Sequence, residues 1–89
     1  KDYNILLDLN GKSYTSLELA DKLDKVRITN SNITFIIGGS YGVDEEIKKI
    51  VNERISFSKL TFPHQLFRVI LLEQIYRCFK IINHEEYHK

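Results

Sequence analysis

The sequence has a single cysteine, Cys78, among its 89 residues. That excludes an internal disulfide and, with no second thiol, a thiolate metal site. Charge of one sign is also scarce. The 13 Lys and Arg against 12 Asp and Glu leave a formal net charge of +1 with histidines neutral. A protein that grips nucleic acid by bulk electrostatics alone is disfavoured, while one that reads a folded RNA through a local patch stays open. No apolar run is long enough to span a bilayer, and no signal stretch precedes the first strand, so a cytoplasmic location is the default expectation. Only one proline occurs, and with 43% hydrophobic and 28% charged residues nothing reads as disordered. No internal repeat or low-complexity segment is present. The length fits one domain whose core has little margin, a shortage that oligomerisation commonly remedies.

What is present alternates between strand and helix. "YNILLDLNGK" (3–12) reads as a strand buried on both faces through Ile5, Leu6, Leu7 and Leu9, ending in an Asn-Gly turn. In "YTSLELADKLDK" (14–25), Thr15 followed three residues later by Glu18 matches a capping box, and Leu19, Ala20 and Leu23 supply one apolar face. Residues 27–32 read as a polar connection and "ITFIIGG" (33–39) as a second buried strand. Residues 43–55 read as a helix with acidic residues in its first turn, where the dipole favours them, and a stripe of Ile47, Ile50 and Val51. A short extended piece is expected within 56–65. A last helix then begins near Pro63 and runs to Ile82. Its apolar residues go most of the way round, which suits a helix central to a larger core or shared with a second chain. Such alternation implies a parallel α/β sheet.

Three stretches carry chemistry. In "FIIGGSYG" (35–42), Gly38, Gly39 and Gly42 follow a parallel strand, at the edge where open α/β sheets bind ligands. The pattern is neither a Walker loop nor a dinucleotide fingerprint. A tight strand-to-helix turn explains it. So does close approach to an uncharged part of a nucleotide-like ligand, since Asp44, Glu45 and Glu46 would repel a phosphate. In "SFSKLTF" (56–62), Ser56, Ser58 and Thr61 alternate with apolar residues beside Lys59. The segment suits either presentation of backbone groups to a planar base or an edge strand with hydroxyl caps for the next helix. The tail "NHEEYHK" gathers His84, Tyr87 and His88. Zinc ligation lacks a third ligand there, and a frayed end competes with a tail folded back onto a site. A polar stripe of Glu73, Gln74, Arg77 and Lys80 on the last helix is either a solvated face with intrahelical pairs or the lining of a cleft.

"GGSYG", "SFSKLTFPHQLFRVILLEQIYRCFKI" and the terminal "YHK" resemble the bacterial large-subunit (23S) ribosomal RNA pseudouridine-N3 methyltransferases, small members of the SPOUT class. The similarity covers essentially the whole chain. It implies an α/β fold, a SPOUT-type parallel sheet flanked by helices with a C-terminal trefoil knot. Residues 1–89 would be the knotted portion of a longer family fold whose N-terminal part supplies further strands and helices. It also implies S-adenosylmethionine (S-adenosyl-L-methionine) as cofactor, a homodimer packed partly through the last helix, and the assembled ribosome as substrate, with no metal and no membrane. By the family's pattern, Leu7, Gly38, Phe57, Ser58, Lys59, Leu60, Thr61 and Phe62 would contact the cofactor. Candidates for the transfer step are His88 and Tyr87 from the tail as proton acceptor, Arg77 to stabilise an anionic oxygen or hold a phosphate, and Glu73 to orient Arg77 or the tail. Two alternatives stay open: a non-catalytic knotted module for dimerisation and cofactor binding, and a SPOUT enzyme acting on another RNA.

Overall fold

The computed structural model describes residues 2–38 and 45–88. Strand β1 (Asp2–Ser13) leads to helix α1 (Ser16–Thr29), strand β2 (Asn32–Ile37), helix α2 (Glu45–Ile50), strand β3 (Glu53–Ser56) and helix α3 (His64–Ile82). The sheet is parallel throughout and its order is β2-β1-β3. The expected α/β architecture with a parallel sheet is therefore present. β1 lies in the middle because Ile5, Leu6 and Leu7 can be buried on both faces, at 0%, 0% and 5% exposure. The chain passes from β1 to β2 on one side, then through α2 to β3 on the other. That reversal creates a switch point at the C-terminal strand ends.

α1 starts as the sequence predicts. The Glu18 backbone N–H donates to Thr15 Oγ1 at 3.1 Å, and the Thr15 N–H donates to Glu18 Oε1 at 2.8 Å. In its buried stripe of Leu19, Ala20, Leu23 and Val26, the first three pack with Ile5, Leu7 and Ile55 of the sheet and with Leu71 and Cys78 of α3. The stripe carries the helix through Thr29, further than the polar connection expected over 27–32. Asn30 closes it, its backbone N–H donating to the Val26 carbonyl at 3.1 Å.

The helix expected over 43–55 is shorter. α2 ends at Ile50, none of its residues is buried, and Ile50 is 70% exposed, so the predicted stripe of Ile47, Ile50 and Val51 does not form a core face. Residues 39–44, including Gly39, Gly42 and Asp44, lie outside the described residues. The helix gives way because Asn52 is captured by β1. The Asn4 N–H donates to Asn52 Oδ1 at 2.7 Å, and the Asn52 N–H donates to the Asn4 carbonyl at 2.8 Å. The extended piece expected within 56–65 accordingly lies earlier, at Glu53–Ser56.

Glu53 holds β3 in place. Its carboxylate accepts from Tyr3 Oη at 3.0 Å, from Tyr14 Oη, and from Lys22 Nζ at 2.9 Å, with its side chain 14% exposed. Burial pushes the carboxyl up, but the bonds from Tyr14, Lys22 and Tyr3 outweigh it and hold it below the ordinary carboxylate range. Tyr14, buried against the same carboxylate, is pushed up to about 12.

β1 leaves the ladder after Leu7 and rejoins at Lys12, both residues pairing with Ile55. Residues 8–11 form an excursion between them. The expected Asn-Gly turn thus falls inside the strand rather than at its end. Within it the Asn10 N–H donates to Asp8 Oδ1 at 3.2 Å, closing an Asx turn. Gly11 has no room for a side chain, since a Cβ there would lie 2.7 Å from the Arg54 carbonyl carbon and the Ile55 nitrogen.

Two outcomes follow from this packing. Gly11→Ala must push β1 off β3 and should cost about 1–3 kcal/mol in urea unfolding, as overpacking against backbone does. For Glu53 the folded-state value lies below the unfolded one, so its contribution is complete above the unfolded value and disappears as pH falls through the folded one. Glu53→Gln should cost about 1–3 kcal/mol at neutral pH. The gap between variant and wild type should shrink progressively below about pH 5; a gap constant from pH 7 to pH 3 would contradict the role given to Glu53.

Candidate functional site

Two groups of residues stand out, one at the C-terminal strand ends and one over the second half of α3. At the strand ends a cavity of about 800 Å³ is lined by the end of β1 and its excursion (Leu7, Asp8, Leu9, Asn10), by Ile37 and Gly38 after β2, by Ser56, Phe57, Ser58, Leu60, Thr61 and Phe62 after β3, and by Pro63, His64 and Phe67 at the start of α3. Its walls are shaped by aromatic packing: Phe57 meets Phe67 edge-on at 5.7 Å, and Phe62 lies parallel to Phe67 at 6.3 Å.

The turn after β3 is tied to itself. Ser56 is buried and its hydroxyl donates to the Ser58 carbonyl at 3.2 Å, while Ser58 Oγ accepts from the Leu60 N–H at 3.0 Å. These hydroxyls cap no helix. α3 opens on Pro63 with no side-chain cap, so the capping reading of "SFSKLTF" is replaced by a self-bonded loop that faces the cavity.

Seven of the eight residues singled out from the sequence for ligand contact, Leu7, Gly38, Phe57, Ser58, Leu60, Thr61 and Phe62, line this one cavity. Lys59 does not; it is exposed. Sequence reasoning missed Asp8, Asn10, His64 and Phe67. Asp8 and Asn10 carry a signal in hindsight, since Asp-x-Asn-Gly favours an Asx turn. The lining could hold a nucleoside-like ligand, with apolar and aromatic walls for a flat base, hydroxyl and amide groups for sugar and amino-acid ends, and one carboxylate.

The second group forms where the tail folds back over α3. His84 has φ of 59°, in the left-handed region. The His84 N–H donates to the Ile81 carbonyl at 3.0 Å and the Glu85 N–H to the Lys80 carbonyl at 2.9 Å. Those two bonds are a Schellman cap with histidine where glycine is usual. The reversal lays residues 85–88 along the polar stripe. Lys80 Nζ pairs with Glu85 at 2.8 Å. Tyr87 Oη donates to Glu73 Oε2 at 2.9 Å, its ring meets Tyr76 edge-on at 5.1 Å, and the Arg77 guanidinium lies 5.0 Å over it. Arg77 Nη2 donates to Glu73 Oε2 at 2.8 Å, and Nη1 faces His88 Nδ1 at 3.1 Å.

All four residues named from sequence, Glu73, Arg77, Tyr87 and His88, are thus in one hydrogen-bonded cluster. The frayed-tail reading does not hold. The Arg77 bonds hold the Glu73 carboxyl below its usual range, Glu73 raises Arg77 in turn, and the bond to Glu73 raises the Tyr87 phenol. A guanidinium only donates, so His88 Nδ1 is the acceptor and the ring proton sits on Nε2. Arg77 and His88 therefore both present donors. Cys78, pushed up to about 11 by burial, is a core residue without thiolate character. Among the described residues no group of three or more His, Cys, Asp or Glu could hold a metal ion, and no helix is long and apolar enough to cross a membrane.

Among the described residues the two groups have no member in common. From Phe67 to Glu73 and Arg77 is roughly 9–15 Å along the helix axis at 1.5 Å per residue.

A family model described as "Predicted SPOUT methyltransferase" matches residues 1–88. The chain belongs to the SPOUT methyltransferase family. It is 57% identical over 86 residues to a protein of Clostridium botulinum (strain Kyoto / Type A2) named ribosomal RNA large subunit methyltransferase H, an alignment covering 96% of this chain and 54% of the relative. A protein of the same name from Ruminiclostridium cellulolyticum is 56% identical over 88 residues, covering 98% of this chain and 55% of the relative. The chain therefore spans about half the length of the curated relatives it matches.

The cap gives a direct check on what turns the tail of this SPOUT chain. His84→Gly removes the left-handed penalty and should stabilise the protein by about 1 kcal/mol. His84→Val, branched at Cβ, should destabilise it and release the tail, read as loss of the Tyr87 to Tyr76 ring-current shifts in proton NMR.

Proposed function

We propose that this chain is the cofactor-binding part of an S-adenosylmethionine-dependent methyltransferase acting on N3 of a pseudouridine in large-subunit ribosomal RNA of the assembled ribosome. The observation that carries the reading is the cavity at the three strand ends, lined by seven of the eight residues that the family resemblance assigns to the cofactor. On this reading the strand ends and residues 57–62 form a C-terminal trefoil knot. Phe57, Phe62 and Phe67 would hold the adenine; Ser58, Thr61 and backbone near Gly38 would hold the ribose and amino-acid ends. When bound, the cofactor supplies an electrophilic methyl group.

The remaining work falls to the chain's own side chains. N3 of the base loses its proton as the new N–C bond forms, and negative charge spreads onto the ring oxygens. Arg77 and His88, donors both, suit that charge. Glu73 orients Arg77 through two bonds and Tyr87 through one, so it is a positioning residue. His88, a candidate proton acceptor by sequence, accepts from Arg77 through Nδ1, and on this reading its Nε2–H acts as a donor.

A homodimer fits the exposed face of α3. Leu66, Val69, Leu72, Tyr76 and Phe79 recur every three or four residues and stay 37–65% exposed, a stripe that a second copy would cover.

Single-turnover methyl transfer to undermethylated large ribosomal subunits, measured with the full-length protein, tests the assignment. His88→Ala should lower the rate by about a hundredfold to a thousandfold with cofactor affinity unchanged. His88→Gln, which keeps a donor near Nε2, should stay within about tenfold of wild type. Equal losses in both variants would return His88 to the role of base. Cofactor binding with no transfer would favour a knotted dimerisation and cofactor-binding module.

A further inference from the structure

The carboxylate of Asp8 stands out against the other partly buried acids among the described residues. Its side chain is only 10% exposed, yet it is loosely held: Oδ1 accepts the Asn10 N–H at 3.2 Å, and Oδ2 lies 3.4 Å from Arg54 Nη1. Charge-assisted bonds usually run about 2.7–2.9 Å. Glu53 and Glu73 meet that standard, with partners at 2.9 Å and 2.8 Å. Arg54 is itself 43% exposed, so water shares its charge. A carboxylate can accept about four hydrogen bonds, so Asp8 keeps acceptor capacity in reserve. It is also the one acidic residue among those described that line the strand-end cavity. It reaches that position only because β1 leaves its ladder for residues 8–11, an excursion the pairing with β3 does not need.

We propose that Asp8 is a specificity-determining residue for the sulfonium charge of the cofactor, favouring the methyl-bearing form over its thioether product. The inference rests on the cofactor reading above. S-adenosylmethionine carries a sulfonium and an ammonium against one carboxylate and is a net cation. When the methyl leaves, the S–C bond breaks, its electron pair returns to sulfur, and the N3 proton passes to solvent. The product, S-adenosylhomocysteine, has no charge at sulfur and no net charge. A loosely paired carboxylate in the wall of the cavity attracts the first and is indifferent to the base and sugar contacts, which the two forms share. The spent cofactor then loses this attraction at the moment it must leave. Arg54, across from the same oxygen, moderates the effect.

Calorimetric titration of both compounds into the protein decides this without any turnover. Asp8→Asn is isosteric and keeps the acceptor for Asn10. It should weaken S-adenosylmethionine by about tenfold, which is about 1.4 kcal/mol, and change S-adenosylhomocysteine by less than about twofold. Arg54→Gln frees the Asp8 charge on an exposed site and should move the ratio of the two affinities the other way. Equal weakening of both compounds by Asp8→Asn, or no weakening of either, would overturn the inference, since a contact to ribose or a purely structural role predicts those results. Should Asp8→Asn melt, Arg54→Gln decides alone, and an unchanged ratio overturns it. A wild-type protein that binds neither compound would overturn the cofactor reading itself and this inference with it.

Discussion

Ile55 pairs with two residues of β1, Leu7 before the excursion and Lys12 after it, and the cavity exists because of that double pairing. A regular ladder would have carried residues 8–11 straight along β3 and filled the strand ends. Instead the backbone swings out, Gly11 brings it back against Arg54 and Ile55, and the space between is walled by the loop that follows β3. β3 is only four residues long and both its ends are fixed by side chains: Asn52 to Asn4, just before it, and Glu53 to Tyr3, Tyr14 and Lys22 at its start, the Ser56 hydroxyl at its finish. Polar bonds of this kind, part-buried at Glu53 and Ser56, contribute modestly to net stability but are costly to break. Their role here is to fix where a short strand begins, and hence where the cavity wall stands.

The tail depends on a different device. Nothing in residues 83–88 is buried deeply enough to hold them by hydrophobic burial. Direction comes from the left-handed His84 and its two capping bonds, and the path afterwards is set by Glu73 and Lys80, each of which finds a partner on the tail. A charged stripe on α3 therefore has a structural use even in the single chain. It organises Arg77 and His88 as adjacent donors, which a solvated row of i, i+4 pairs would not do.

The elements that sequence patterns identify are those whose signals are local. Ile5 to Leu7 read as a doubly buried strand, Thr15 and Glu18 as a cap, and the apolar girth of residues 66–82 as a helix with more apolar surface than one chain can cover. Residues 53–55 continue the helical pattern of 43–55 yet form most of β3; the partners that extend the strand, Asn4, Tyr3, Tyr14 and Lys22, lie 31–50 positions away in sequence. Such partners leave no trace in a window of neighbouring residues, and tertiary pairing overrides local propensity there. Val26, three residues after Leu23, was a local signal for a longer α1 and outweighs the polar residues around it. The cavity residues were named through family resemblance rather than periodicity. Asp8 escaped both routes, because its position in the cavity depends on a register irregularity that appears only once the partner strand is known.

We propose that the methyl donor binds in the strand-end cavity. Titration of S-adenosylmethionine into isotope-labelled protein, followed by amide NMR, tests it directly. Binding should shift the amides of Leu7, Asn10, Gly38 and residues 57–62 together, with the amides of residues 16–29 unmoved. Shifts centred on Glu73, Arg77 and Tyr87, or no shifts at millimolar cofactor, would place the methyl donor elsewhere.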